Sequence, residues 1–209
     1  MACSVLIGCV GTCGSVVASF AYFHSLPAMI SLTMTDPFRT QIYPPQAQEV
    51  YDLWLAAHGG KRFPKQADLD LMAIPRLVPS CFILDVVNQT RFRYRFVGTA
   101  IEEHIGELLT GRMMDEVRKG KLLQTLTDLF GTTQRNGQAG MATTQMPTET
   151  RGHMLYHRLS LPLSDNGETV DKIFGCHFFE LPSNSGFNQP YVEPPEGDEI
   201  NRLKMVFSE

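Results

Sequence analysis

The most regular pattern in the chain lies at 91–97, RFRYRFV, where Arg91, Arg93 and Arg95 alternate with Phe92, Tyr94 and Phe96. A period of two predicts a strand with one apolar face. The run CFILDVVN before it predicts the other half of a hairpin. A three-residue loop of Asn88, Gln89 and Thr90 puts Phe82, Leu84 and Val86 on the face of Phe92, Tyr94 and Phe96, and sets Asp85 against Arg93 on the opposite face. An even loop would bury Asp85 among aromatics, and burying an unpaired carboxylate is costly.

Elsewhere the period is helical. Val50, Leu53, Trp54 and Ala57 fall on one stripe of a helix over 46–58 that stops at Gly59 and Gly60. Prolines 64, 75 and 79 punctuate short helical turns, and 101–120 reads as two short helical pieces divided at Thr110 and Gly111. Leu122, Leu123, Leu126, Leu129 and Phe130 form the core stripe of a longer helix. Three extended stretches follow, GMATTQMPT, RGHMLYHRLSLPLS and TVDKIFGCHFFEL, separated by turn chemistry at 148–152 and 164–167. Two strands, a run of short helices, one longer helix and three strands predict an α+β fold with an antiparallel sheet.

With 209 residues and 43% apolar content, the chain holds one well-cored domain plus tails. Its 18 basic and 22 acidic residues give a net charge of -4, so no global field draws it to nucleic acid or anionic lipid. Residues 1–35 carry no Asp, Glu, Lys or Arg. Three readings of this leader stand: translation that begins at Met29 or Met34, a membrane anchor through 1–33, or an export signal that lacks its positive start. Residues 36–44 form a linker, 45–182 the domain, and 183–209 a mostly disordered tail with INRLKMVF as a short helix or docking segment. Cys3, Cys9 and Cys13 lie in the leader, while Cys81 and Cys176 stand apart without metal or redox spacing. This is the usage of a reducing compartment, and the expected location is the cytoplasm.

Candidate chemistry is sparse. His153 and His157 would share one face of a helix over a metal, but alternating Leu155, Leu159, Leu161 and Leu163 make the stretch a strand, where the two lie roughly 13 Å apart. No metal site is expected. Cys176 and His177 are adjacent in a strand and point to opposite faces, so they cannot form a nucleophile pair. The arginine ribbon could grip single-stranded nucleic acid, yet a charged strand face paired with Asp85 is the favoured reading. An enzyme using Tyr94, His157 or His177 as acid-base groups is the rival to a regulatory protein.

The order of elements, and the words within it, resemble a PAS domain, specifically the single-domain PAS proteins of bacteria. The residues that carry the likeness are Trp54, Phe63 and Pro64, Ile74 and Pro75, Leu77, Pro79, Asp85 and Val86, Phe92 to Thr99, Gly106, Thr110 and Gly111, and Leu161 to Leu163. Leu71 departs from it, standing where the family tends to carry proline. The resemblance implies a curved five-stranded antiparallel sheet with one face covered by short helices that enclose a pocket, and an N-terminal flanking helix used in dimers. It implies sensing or regulation, with the signal passed by binding another protein. Flavin is not expected, because the Asn-Cys-Arg context of its reactive cysteine is absent, nor is haem, because 121–137 holds no histidine.

Two sets of site residues follow. Phe92, Tyr94 and Phe96, covered by Met113, Met114, Leu126 and Phe130, would line a pocket for a small, mostly apolar ligand. Val50, Leu53 and Trp54 would form a homodimer interface.

Overall fold

The computed structural model describes residues 36–148, 152–180 and 202–209. The leader and most of the expected tail lie outside the described residues. After a 3-10 turn at Arg39–Gln41, helix α1 spans Pro45–His58 and ends where Gly59 takes the left-handed conformation. Three further 3-10 turns, at Gln66–Asp68, Leu71–Ala73 and Val78–Ser80, lead into strand β1 (Cys81–Asn88) and strand β2 (Arg91–Val97). Helices α2 (Thr99–Ile105), α3 (Met114–Val117) and α4 (Gly120–Asn136) follow, then strands β3 (Gly140–Thr148), β4 (Gly152–Leu163), β5 (Lys172–Glu180) and β6 (Arg202–Phe207).

The strands form one antiparallel sheet in the order β2-β1-β5-β4-β3-β6. Five strands were expected, and the described residues form six. In the sixth, Met205 and Phe207 alternate with Val206, which sends the first two to one face and the third to the other. That alternation suits it to the edge of β3 better than to a helix.

Both faces of the sheet are covered. On one, α1 lays Ala47, Val50, Tyr51 and Trp54 against Leu159, Leu161, Leu163 and Phe174. On the other, α2, α3 and α4 cover Phe82, Leu84, Phe92, Tyr94 and Ile173. Double coverage explains why the first half of β1 and the middle of β5 are buried on both sides. Val50 and Trp54, expected at a dimer interface, are therefore core residues of their own chain. Trp54 is 6% exposed, and its Nε1 donates to the Pro162 carbonyl at 2.9 Å. Leu53 is half-buried.

Two extra residues set the hairpin register. Asn88 pairs with Arg91, so the loop is shorter than the three residues expected, but Val87 is bulged and restores the pairing of Val86 with Phe92 and of Asp85 with Arg93. A second bulge leaves Arg95 without a partner between the pairs Leu84–Tyr94 and Ile83–Phe96. Beyond it the faces exchange. Phe96 joins the α1 side and Val97 takes its place on the helix side. The alternation read from the sequence puts all three aromatics of β2 on one face, and this bulge is the reason that they are not.

Candidate functional site

Between the sheet and helices α2 to α4 lies a cavity of about 40 Å³. Phe82 and Val97 from the hairpin, Ile101 and Ile105 from α2, and Leu126 and Phe130 from α4 give it apolar walls. Leu109 closes it from the segment that joins α2 to α3. This segment is held in two ways. Glu102 Oε1 accepts hydrogen bonds from Leu109 N at 2.8 Å, from Thr110 N at 3.1 Å and from Thr110 Oγ1 at 3.2 Å. It also pairs with the outer side of β2, where Gly111 N donates to the Tyr94 carbonyl and Tyr94 N donates to the Arg112 carbonyl at 3.0 Å. Gly111 can take this position because its φ of 90° belongs to the left-handed half of the map.

Four polar side chains enter the cavity: Tyr94 from β2, Arg118 from the end of α3, Arg158 from β4 and His177 from β5. Arg158 and His177 are each 6% exposed. Burial brings the Arg158 guanidinium down to about 10, against the opposing pull of Tyr94 and Tyr156, so it stays protonated at neutral pH. Burial also holds His177 well below the usual imidazole value, and the charges of Arg158, His104 and Arg118 act in the same direction. His177 is neutral. The Tyr94 phenol is raised, by burial first, with Arg118 and Arg158 opposing. Around this end His104 stacks on Phe179 with ring centres 3.7 Å apart, and Tyr156 meets Phe179 edge-on at 5.6 Å.

Of the residues expected to bind a ligand, Tyr94, Leu126 and Phe130 line the cavity. Phe92 and Met114 are buried in the same cluster without reaching it, and Met113 sits outside, bridged to Arg93 at the sheet edge. Phe96 belongs to the opposite face. Sequence reading missed Arg118 and Arg158, because an isolated arginine between helices or in a strand reads as a solvated charge. The acid-base candidates do not converge. Tyr94 and His177 share the cavity, whereas His157 lies across the sheet.

His157 has partners on both nitrogens, with Thr143 Oγ1 at 3.0 Å from Nδ1 and Glu180 Oε1 at 3.2 Å from Nε2. A carboxylate only accepts, so Nε2 carries the proton and Nδ1 accepts from the Thr143 hydroxyl. Glu180 Oε2 accepts from the Tyr43 hydroxyl at 3.1 Å. Tyr43, Thr143 and His157 border a wider groove of about 360 Å³ with Gln48, Met141 and Lys204. Every polar atom of His157 is satisfied there, which marks a structural network rather than an unfilled binding end. Among the described residues no three metal-ligating side chains cluster, and no helix is long and apolar enough to cross a membrane.

The arginines of β2 are engaged with acids. Arg93 Nη2 lies 2.9 Å and Arg95 Nη1 3.2 Å from the two oxygens of Asp85, and Arg91 Nε lies 2.7 Å from Asp115. Their guanidinium groups therefore brace the hairpin and the start of α3. A family model described as PAS domain matches residues 42–178. No curated protein and no solved structure matches the chain.

Proposed function

The chain belongs to the PAS domain family, and we propose that it is a cytoplasmic, non-catalytic regulatory protein in which a small ligand, held between the sheet and α2 to α4, modulates contacts with another protein. PAS domains serve sensing and regulation and commonly mediate dimerisation and protein interaction. The observation that carries the reading is the partly open cavity, apolar on most of its wall and polar at one end, bordered by a short segment that one carboxylate clasps. Such a segment can respond to what fills the cavity, because its Leu109 side chain is part of the cavity wall while Glu102 holds its backbone. Leu55 is exposed on the outer side of α1 while the half-buried Leu53 packs at the margin of the core, and we place the homodimer contact around Leu55.

Native mass spectrometry of the purified full chain tests this directly. The expected spectrum shows a dimer and a retained small molecule, or a mass shift on screening with small molecules. A bare monomer that takes up nothing would overturn the sensor reading.

A further inference from the structure

Two guanidinium groups border the cavity, and of the two only Arg118 has a carboxylate near it, at long range. Among the described residues Arg158 has no carboxylate within ion-pair distance. Its Nη1 donates to the neutral Thr144 hydroxyl at 2.8 Å, and the Tyr156 ring lies 5.3 Å from its guanidinium carbon. Arg118 is only 12% exposed. Its Nη1 donates to its own neighbour's carbonyl, at Val117, and stands 3.9 Å from the exposed Glu107 carboxylate, while Nη2 is buried without a hydrogen-bond partner. Nε2 of His177 is likewise buried and unpartnered. A buried cation without an anion, beside buried nitrogens without acceptors, is an arrangement that proteins keep only where something else completes it.

We propose that the cavity binds a small organic monocarboxylate, its carboxylate among Arg118, Arg158 and His177 and its short apolar body against Ile101, Leu109, Leu126 and Phe130. The proposal rests on the reading of the cavity as a sensor site and replaces a mostly apolar ligand with an amphipathic acid. A planar guanidinium presents parallel N–H groups that match the two oxygens of a carboxylate. His177 donates through Nε2 in the tautomer that carries its proton there, and the Tyr94 hydroxyl stands at the same end. The apolar remainder of the wall gives nothing to a fully hydrated inorganic anion. A space of about 40 Å³ is smaller than a four-carbon acid, so binding also requires the segment at Leu109 to give way, and nucleotides and long acyl chains are excluded.

The test compares butyrate, its neutral isostere butyramide and inorganic phosphate on the full chain, by calorimetry and by the shift in unfolding temperature. Butyrate should bind about tenfold or more tightly than butyramide, and phosphate should not bind. Arg118→Gln, at the less buried of the two arginines, should weaken butyrate by about tenfold and leave butyramide unchanged. Should that variant fail to fold, the butyrate and butyramide pair on the wild-type chain decides alone. Butyramide binding as well as butyrate would overturn the carboxylate inference and leave an apolar sensor standing. Phosphate binding in place of butyrate would overturn it in favour of an inorganic anion. If none of the three binds and no molecule is retained on purification, the sensor reading falls as well.

Discussion

Tyr94 and Phe96, two residues apart on β2, face opposite sides of the sheet because Arg95 between them is bulged. Tyr94 looks into the cavity beneath α2 to α4, and Phe96 packs towards α1. Phe96→Ala should therefore lower stability by about 1–3 kcal/mol, less than a fully buried phenylalanine, and leave ligand binding unchanged. Denaturant unfolding alongside a butyrate titration checks this, and lost binding in Phe96→Ala would place its ring in the cavity after all.

Trp54 and Leu55 should separate core from contact surface. Trp54→Ala removes an indole that is packed on the sheet and bonded to the Pro162 carbonyl, and should cost about 3–5 kcal/mol. Leu55→Glu, on the outer side of α1, should leave the unfolding midpoint nearly unchanged and convert the proposed dimer to a monomer in light scattering. A Trp54→Ala protein with unaltered stability would contradict the packing of α1 on its own sheet.

Acid should destabilise the ligand-free protein through its histidines before its carboxylates. His177 is held well below the usual imidazole value by burial, reinforced by Arg158, His104 and Arg118; His157 is lowered by burial against the opposing charge of Glu180. Because both folded-state values are depressed, the unfolded chain takes up protons first as pH falls below about 6.5. The contribution of each such histidine is level above that point and then falls by up to about 1.4 kcal/mol per pH unit until its folded-state value is reached. Glu102, which burial would raise but the hydrogen bonds of Leu109 and Thr110 hold low, adds its own loss only below its ordinary value of 4.5. His177→Gln should flatten the slope between about pH 6.5 and 5. A slope equal to the wild type's would mean that His177 protonates freely in the folded state.

The arginines of β2 should prove structural. Arg93→Ala removes a half-exposed ion pair with Asp85 and should change stability by at most about 1 kcal/mol. Single-stranded oligonucleotides should show no salt-sensitive affinity for the wild-type chain in fluorescence anisotropy. Tight binding at low salt that Arg93→Ala abolishes would reverse the assignment.

Much of this fold is legible in the residues, because alternation in β2 and β4 and the Leu126, Leu129 and Phe130 stripe in α4 follow directly from packing on one side. The bulges at Val87 and Arg95 are not, since an extra residue in a strand leaves no compositional mark. Nor is the polar end of the cavity. Arg158 occupies the β4 face that alternates against a continuous leucine face, and only the discovery that both faces are covered turns it from a surface charge into a buried one. The sixth strand had a signal in Met205 and Phe207, but six residues are too short a run to outweigh the polar stretch before them.

The segment that closes the cavity also protects the protein from its neighbours. β2 is the outermost strand on its side of the sheet and carries three aromatics, a combination that invites pairing with another chain. Gly111 and Arg112 occupy the outward carbonyl and N–H of Tyr94, and the Thr110 hydroxyl accepts from Val97 N at 3.2 Å. A second molecule therefore finds no continuous row of vacant donors and acceptors along β2, and the bulge and flanking arginines disturb what remains. Resistance to aggregation at this margin depends on the hydrogen bonds that Glu102 makes to Leu109 and Thr110.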